Sequence, residues 1–132
     1  MKLVIGGYAQ GKLEFTLQRY KKEDWIVFDG RLPSENQLQE LCEQKKKVII
    51  HHFHNWVRER ILQEGNPEEE IIAFLSKNPE SIIISDEVGN GIVPIDFLER
   101  EYRERTGRIL VKLANQADEV VRVICGIGQK IK

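Results

Sequence analysis

Five short apolar runs, separated by stretches with helical periodicity, constrain this chain more than any single motif does. Leu3 to Ile5, Trp25 to Phe28, Val48 to Ile50, Ser81 to Ser85 and Val120 to Ile124 have strand length and read as buried strands. Between them the apolar residues recur at helical spacing: Leu13, Leu17 and Tyr20; Leu38, Leu41 and Cys42 behind a capping Ser34; Val57 and Ile61 ahead of Gly65; Ile71, Ile72 and Leu75 behind Pro67 and the Glu68 to Glu70 run. A longer stripe of Leu98, Tyr102, Ile109 and Leu113 runs on from Pro94 as one helix, with Gly107 inside it. Strands that alternate with helices pair through crossovers, so the expected fold class is α/β, a mostly parallel sheet with helices on both faces. The terminal "GQKIK" offers a short additional partner strand. With 132 residues and no repeat or linker, one domain over 1–132 is expected.

Composition removes several functions. Twenty basic and 21 acidic side chains leave a net charge of -1, so no long-range positive field exists for nucleic acid. No apolar run approaches the roughly 20 residues of a spanning helix, and the first residues lack the pattern of a signal peptide, which points to the cytoplasm and away from a membrane. The two cysteines, Cys42 and Cys125, form no metal or redox motif and read as buried thiols in a reducing compartment.

The first strand leads into "GGYAQGKLEF". Gly6, Gly7, Tyr8, Ala9, Gln10, Gly11 and Lys12 fit a Gly-x-x-x-x-Gly-Lys phosphate loop between a strand and a helix. In such a loop the backbone N–H groups and the positive helix end surround a phosphate, while the lysine neutralises its charge. The next position, where a hydroxyl would ligate magnesium, is Leu13, and Glu14 beside it adds negative charge. Without the hydroxyl the pattern equally describes a tight strand-to-helix turn.

The remainder of the chain supplies a resemblance. "EVGNGIVP" from Glu87 to Pro94, "YRERTGR" from Tyr102 to Arg108, "LANQADEV" from Leu113 to Val120 and "GIGQKIK" from Gly126 resemble, in order and spacing, the C-terminal third of the bifunctional adenosylcobinamide kinase/adenosylcobinamide-phosphate guanylyltransferase family of cobalamin biosynthesis. "LVIGGYAQGK" sits where that family has its phosphate loop. The resemblance implies a P-loop NTPase-like fold, ATP or GTP and a corrinoid as ligands, and subunits packed as a homo-oligomer, in the family a trimer. It places Gly6 to Lys12 around phosphates and makes Glu87, Val88, Gly89, Gly91 and Pro94 a substrate-side loop at a strand end, with Arg108 the best anion contact among the arginines.

The departures from the family fall on its chemistry. The Ser or Thr after the lysine is Leu13, the acidic residue at the end of the third strand is His51, the Asn before Glu87 is Asp86, and the Asn after the Gly-Arg pair is Leu110. The family's guanylylated-histidine segment has no counterpart between Phe28 and Val48. Neither protein support for magnesium is therefore expected, and no metal-site residues are assigned. Kinase activity is expected to be weak or lost, and guanylyl transfer by the family's route absent, leaving a nucleotide-binding relative or a non-catalytic binding, regulatory or assembly subunit.

His51, His52 and His54 are the only histidines and the only catalytic candidates. In an extended segment His52 and His54 would share a face and could take a metal with Asp29 or Asp86. An imidazole here could also serve as a replacement guanylyl acceptor. The plainer alternative is polar residues at the mouth of a crevice. Trp25 and Trp56 read as core or interface residues, and Lys45 to Lys47 as a solvated helix end.

Overall fold

In the computed structural model, residues 1–88 and 96–132 are described. The chain runs β1 (Lys2–Gly6), α1 (Lys12–Arg19), β2 (Trp25–Asp29), α2 (Glu35–Glu43), β3 (Lys47–His51), α3 (Phe53–Leu62), α4 (Pro67–Lys77), β4 (Ile82–Asp86), α5 (Phe97–Gln116), β5 (Glu119–Ile124) and β6 (Ile127–Lys130). The six strands form one sheet in the order β2-β3-β4-β1-β5-β6. All neighbours are parallel except β6, which returns antiparallel along β5. This is the mostly parallel α/β fold that the strand and helix pattern implies, and the terminal segment does form a partner strand.

The period of two along each strand sorts side chains between two cores. Phe28, Ile50, Ile83, Leu3 and Val120 stand in register across five strands and pack on one face beneath α2, α3, α4 and α5. Val4, Ile49, Ile82, Ile84, Val121 and Val123 point to the other face, where Leu13, Phe15 and Leu17 of α1 cover them with Tyr20 and Trp25. Each fully buried aliphatic side chain contributes about 1.5–3 kcal/mol of transfer free energy. Both faces of the central strands are sealed, so chemistry is confined to the strand edges and the loops beyond them.

The helices start where the sequence supplies caps. Ser34 and Gln37 exchange hydrogen bonds in a capping box at α2. The Asn66 side chain accepts from Glu69 N–H ahead of Pro67 at α4, and Asp96 accepts from Leu98 N–H at α5. The long helix therefore begins at Phe97, later than the sequence pattern suggested. Its buried stripe is Tyr102, Thr106, Ile109 and Leu113, whereas Leu98 is exposed. Arg105 locks α5 to α4 through a two-pronged contact with Glu68, both bonds 2.9 Å. Trp56 is buried and stacked on Phe53, while Trp25 is half-buried at the sheet edge against Tyr20.

Two expectations are corrected here. Cys42 and Cys125 are both exposed: Cys42 lies on the outer side of the last turn of α2, and Cys125 sits in the tight β5–β6 turn with φ 50°. The His51 to His54 segment is not extended either. His52 adopts φ 51°, and the chain turns there directly into α3. No described helix is long and apolar enough to cross a membrane.

Candidate functional site

At the C-terminal ends of the parallel strands, the turn from β1 to α1 forms one wall of a cleft of about 530 Å³, lined by residues 8–14 with His51, His52 and Asp86. Open parallel sheets place ligand sites at this edge because the loops diverge there. Two glycines make the turn feasible. A Cβ on Gly6 would lie 2.5 Å from Val123 O, and Gly11, the residue capping α1, has φ +82°. Ala9 is also left-handed, with φ 53°. The loop is pinned from behind by the β5–β6 turn: Gly126 N–H donates to Gln10 O at 2.8 Å, and Cys125 N–H donates to Gln10 Oε1 at 2.7 Å. The first N–H groups of α1 have no intrahelical acceptor and lie at the positive end of the helix.

Lys12 does not reach into open space. Its Nζ donates to Gly7 O at 2.6 Å and is paired with Asp86 Oδ1 at 2.6 Å, with the lysine side chain only 5% exposed. Strand register explains the pair, because Gly6 of β1 sits opposite Asp86, the last residue of β4. Asp86 is itself held by His54: Asp86 N–H donates to Nδ1 at 3.1 Å, and Nε2 lies 3.3 Å from Oδ2. Both contacts suit one neutral tautomer, with the proton on Nε2 donated to the carboxylate. Burial holds the His54 pKa below its ordinary value, against the pull of Asp86 in the opposite direction.

The same edge gathers a second group. Register pairs Asp29 at the end of β2 with His51 at the end of β3. Phe28 and Ile50 point to the α2–α5 face, so the period of two turns Asp29 and His51 to the α1 face, which is the cleft side. His52 Nδ1 lies 2.5 Å from Asp29 Oδ1, and the His51 and His52 rings lie 3.7 Å apart at 34°. Burial, then the neighbouring His52, pushes the His51 pKa down to about 4, so this imidazole is neutral at pH 7. Its Nδ1 is buried without a hydrogen-bond partner among the described residues.

The sequence-derived residues thus separate into groups. Gly6 to Lys12, His51 and His52 meet at the cleft, and His54 stands behind Asp86. Among the expected substrate-side residues, Glu87 abuts the loop: its N–H donates to Gly6 O at 2.8 Å, and its carboxylate takes a two-pronged contact from Arg122 at 2.7 and 3.0 Å. Val88 packs on the main core. Gly89, Gly91 and Pro94 lie outside the described residues. Arg108 pairs with Glu104 one turn away on the surface of α5 and is not among the described residues lining the cleft. The expected pairing of His52 with His54 around a metal gives way to two pairs, His52 with Asp29 and His54 with Asp86, because α3 begins between the histidines. Sequence reasoning missed that Asp86 ties down Lys12. The signal available was a strand-end aspartate on the α1-facing parity of β4.

The donor set does not suit magnesium, which takes oxygen ligands in near-ideal octahedral geometry. Leu13 packs its side chain on the core beneath α1, and the end of β3 offers an imidazole. What remains is a glycine loop with a lysine already paired to a carboxylate, sharing its cleft with His51 and His52.

Comparison with known proteins gives this architecture a family. The profile of the family described as cobinamide kinase / cobinamide phosphate guanyltransferase matches residues 15–131, beginning just after Lys12. The chain is 30% identical to the bifunctional adenosylcobalamin biosynthesis protein CobU of Escherichia coli, an alignment covering 97% of this chain and 76% of that protein. It is 44% identical to the protein of the same description from Salmonella typhimurium over 63 residues, 47% of this chain and 35% of that protein. On the breadth of the profile match and of the Escherichia coli alignment, the chain belongs to the cobinamide kinase / cobinamide phosphate guanyltransferase family.

Proposed function

We propose that this chain is a member of its family that binds a nucleotide, ATP or GTP, at the Gly6 to Lys12 loop, with phosphoryl transfer weak or lost and no guanylyl transfer by the family's histidine route. The observation that carries the reading is the state of Lys12. It sits at the mouth of the anion site, closed onto Asp86 and Gly7 O, while the adjacent Leu13 packs into the core instead of presenting an oxygen to a metal. A phosphate can draw Lys12 away from Asp86, since an ion pair beside an open cleft is exchangeable. Efficient transfer also needs metal-assisted charge stabilisation, which neither Leu13 nor His51 supplies as an oxygen ligand. Loss of both magnesium supports raises the barrier by several kcal/mol, on the order of a thousandfold or more in rate.

The family's activities set the rest of the reading: a corrinoid beside the nucleotide, within cobalamin biosynthesis in the cytoplasm. A second reading, a non-catalytic binding, regulatory or assembly subunit of the same fold, draws on the same Leu13 packing. The assembly is a homo-oligomer, a trimer by family resemblance, and exposed Phe97, Val111 and Ile127 supply apolar surface that suits contact between copies. The test is transfer of labelled phosphate from ATP to cobinamide, run beside labelled GTP incorporation into the protein. The proposal expects no protein-bound label and at most slow, Lys12-dependent phosphorylation. Rapid turnover, or a stoichiometric guanylylated protein, would overturn it.

A further inference from the structure

The strand-end group of Asp29, His51 and His52 has no role in that reading, yet its atoms converge. One ligand atom from each residue lies within 4.8 Å of the other two. Around a tetrahedral ion with bonds of about 2.0–2.1 Å, neighbouring ligand atoms stand roughly 3.3 Å apart, so a modest closing of this group suffices. The two imidazole rings lie 3.7 Å apart with their planes tilted by 34°, and the Asp29 carboxylate already touches one of them at 2.5 Å.

Two further observations indicate a ligand. His51 Nδ1 is buried and unpartnered among the described residues, an arrangement that is unfavourable when nothing compensates it. His52, which is not glycine, holds a left-handed conformation at φ 51° as the residue capping α3, and this conformation is what folds its ring back over His51. Backbone strain of this kind persists where the surroundings require it, and it concentrates at functional sites.

We propose that Asp29, His51 and His52 form a binding site for a divalent transition-metal ion of the zinc class, with its open coordination position facing the cleft beside the glycine loop. Two nitrogens and one carboxylate oxygen suit zinc, cobalt or nickel and discriminate against magnesium and calcium, which take oxygen. Three protein ligands leave a fourth position for water or a ligand oxygen, and His51 and His52 share the lining of the cleft with Lys12. The ion replaces the proton shared between His52 and Asp29, so the pair seen here is the metal-free arrangement of the site. His54 is outside the site because both its nitrogens are committed to Asp86.

The test needs no nucleotide and no activity. Chelator-treated protein is titrated with Co(II), read by its visible absorption bands, and with Zn(II), read by calorimetry. The expected result is one equivalent bound at micromolar Kd or tighter, unaffected by millimolar magnesium. Asp29→Asn, which keeps shape at an exposed position, and His52→Asn, whose new side chain tolerates the left-handed backbone, each weaken binding about 10–100-fold with an unchanged circular dichroism spectrum. The double change Cys42→Ser and Cys125→Ser leaves binding intact. The inference is overturned if no equivalent binds, if binding survives both cleft substitutions at full affinity, or if it disappears with the cysteines.

Discussion

Replacing Asp86 by Asn, the residue that the family resemblance places at this position, separates the two consequences of the Lys12–Asp86 pair. In the protein the carboxylate lies 2.6 Å from Nζ, so a phosphate approaching the same ammonium comes within about 4 Å of a like charge. At an effective dielectric near 20, two such charges repel by about 4 kcal/mol, and solvent in the open cleft screens this to about 1–3 kcal/mol. Removing the charge at constant size should therefore tighten ATP or GTP roughly 10- to 100-fold. The free protein should suffer at the same time. Lys12 keeps Gly7 O as an acceptor but loses its counter-charge at a buried position, a change that costs about 2–4 kcal/mol of stability. Urea unfolding and nucleotide titration on one variant thus move in opposite directions. A folded Asp86→Asn protein whose nucleotide affinity is unchanged or weaker would refute the idea that this carboxylate competes with phosphate for Lys12.

Other outcomes follow from individual contacts. Gly6→Ala should lose about 2–4 kcal/mol in denaturant unfolding because its Cβ meets Val123 O at 2.5 Å, whereas Gly7→Ala, whose nearest neighbour is a Gln10 side-chain carbon at 3.6 Å, should stay within about 1 kcal/mol; equal losses would contradict the geometry. Gly107→Ala adds a Cβ with nothing within 4 Å in the middle of α5 and should stabilise by about 0.5–1 kcal/mol, seen as a raised Tm. His51 has a folded pKa of about 4, below its ordinary 6.5, so its contribution is fully present above pH 6.5 and is lost as pH falls toward 4. After allowance for its partial exposure this amounts to about 1–2 kcal/mol, measured in chelator as acid sensitivity that His51→Gln should reduce. Cys42 and Cys125 should both react with a thiol reagent in the native protein, and protection of either until unfolding would contradict their exposure.

The fold was legible because its determinants are local. Short apolar runs with period two specify strands buried on both faces, and Ser34, Pro67 and Glu68 to Glu70 announce helix starts within a residue or two. The glycine loop was legible for the same reason, since a Cβ at Gly6 would meet Val123 O and the turn at Gly11 is left-handed. The wiring of the site was less legible because it depends on register between strands far apart in sequence. Gly6 opposite Asp86 and Asp29 opposite His51 are pairings over 80 and 22 positions, set by which strands become neighbours. The histidines show a sharper failure: reading them as extended assigned His52 and His54 to one face, but the left-handed residue at His52 starts a helix and sends them to different aspartates. The cysteines misled because burial was inferred from residue type, while Cys125 occupies a turn whose outer side faces solvent.

The central claim is that the phosphate cradle persists without its catalytic metal. Isothermal titration of the purified protein with ATP and with GTP, each with and without magnesium and with Lys12→Ala as the control, tests it most directly. The account predicts binding that requires Lys12 and is indifferent to magnesium. No binding of either nucleotide, or binding that magnesium strengthens severalfold, would contradict it.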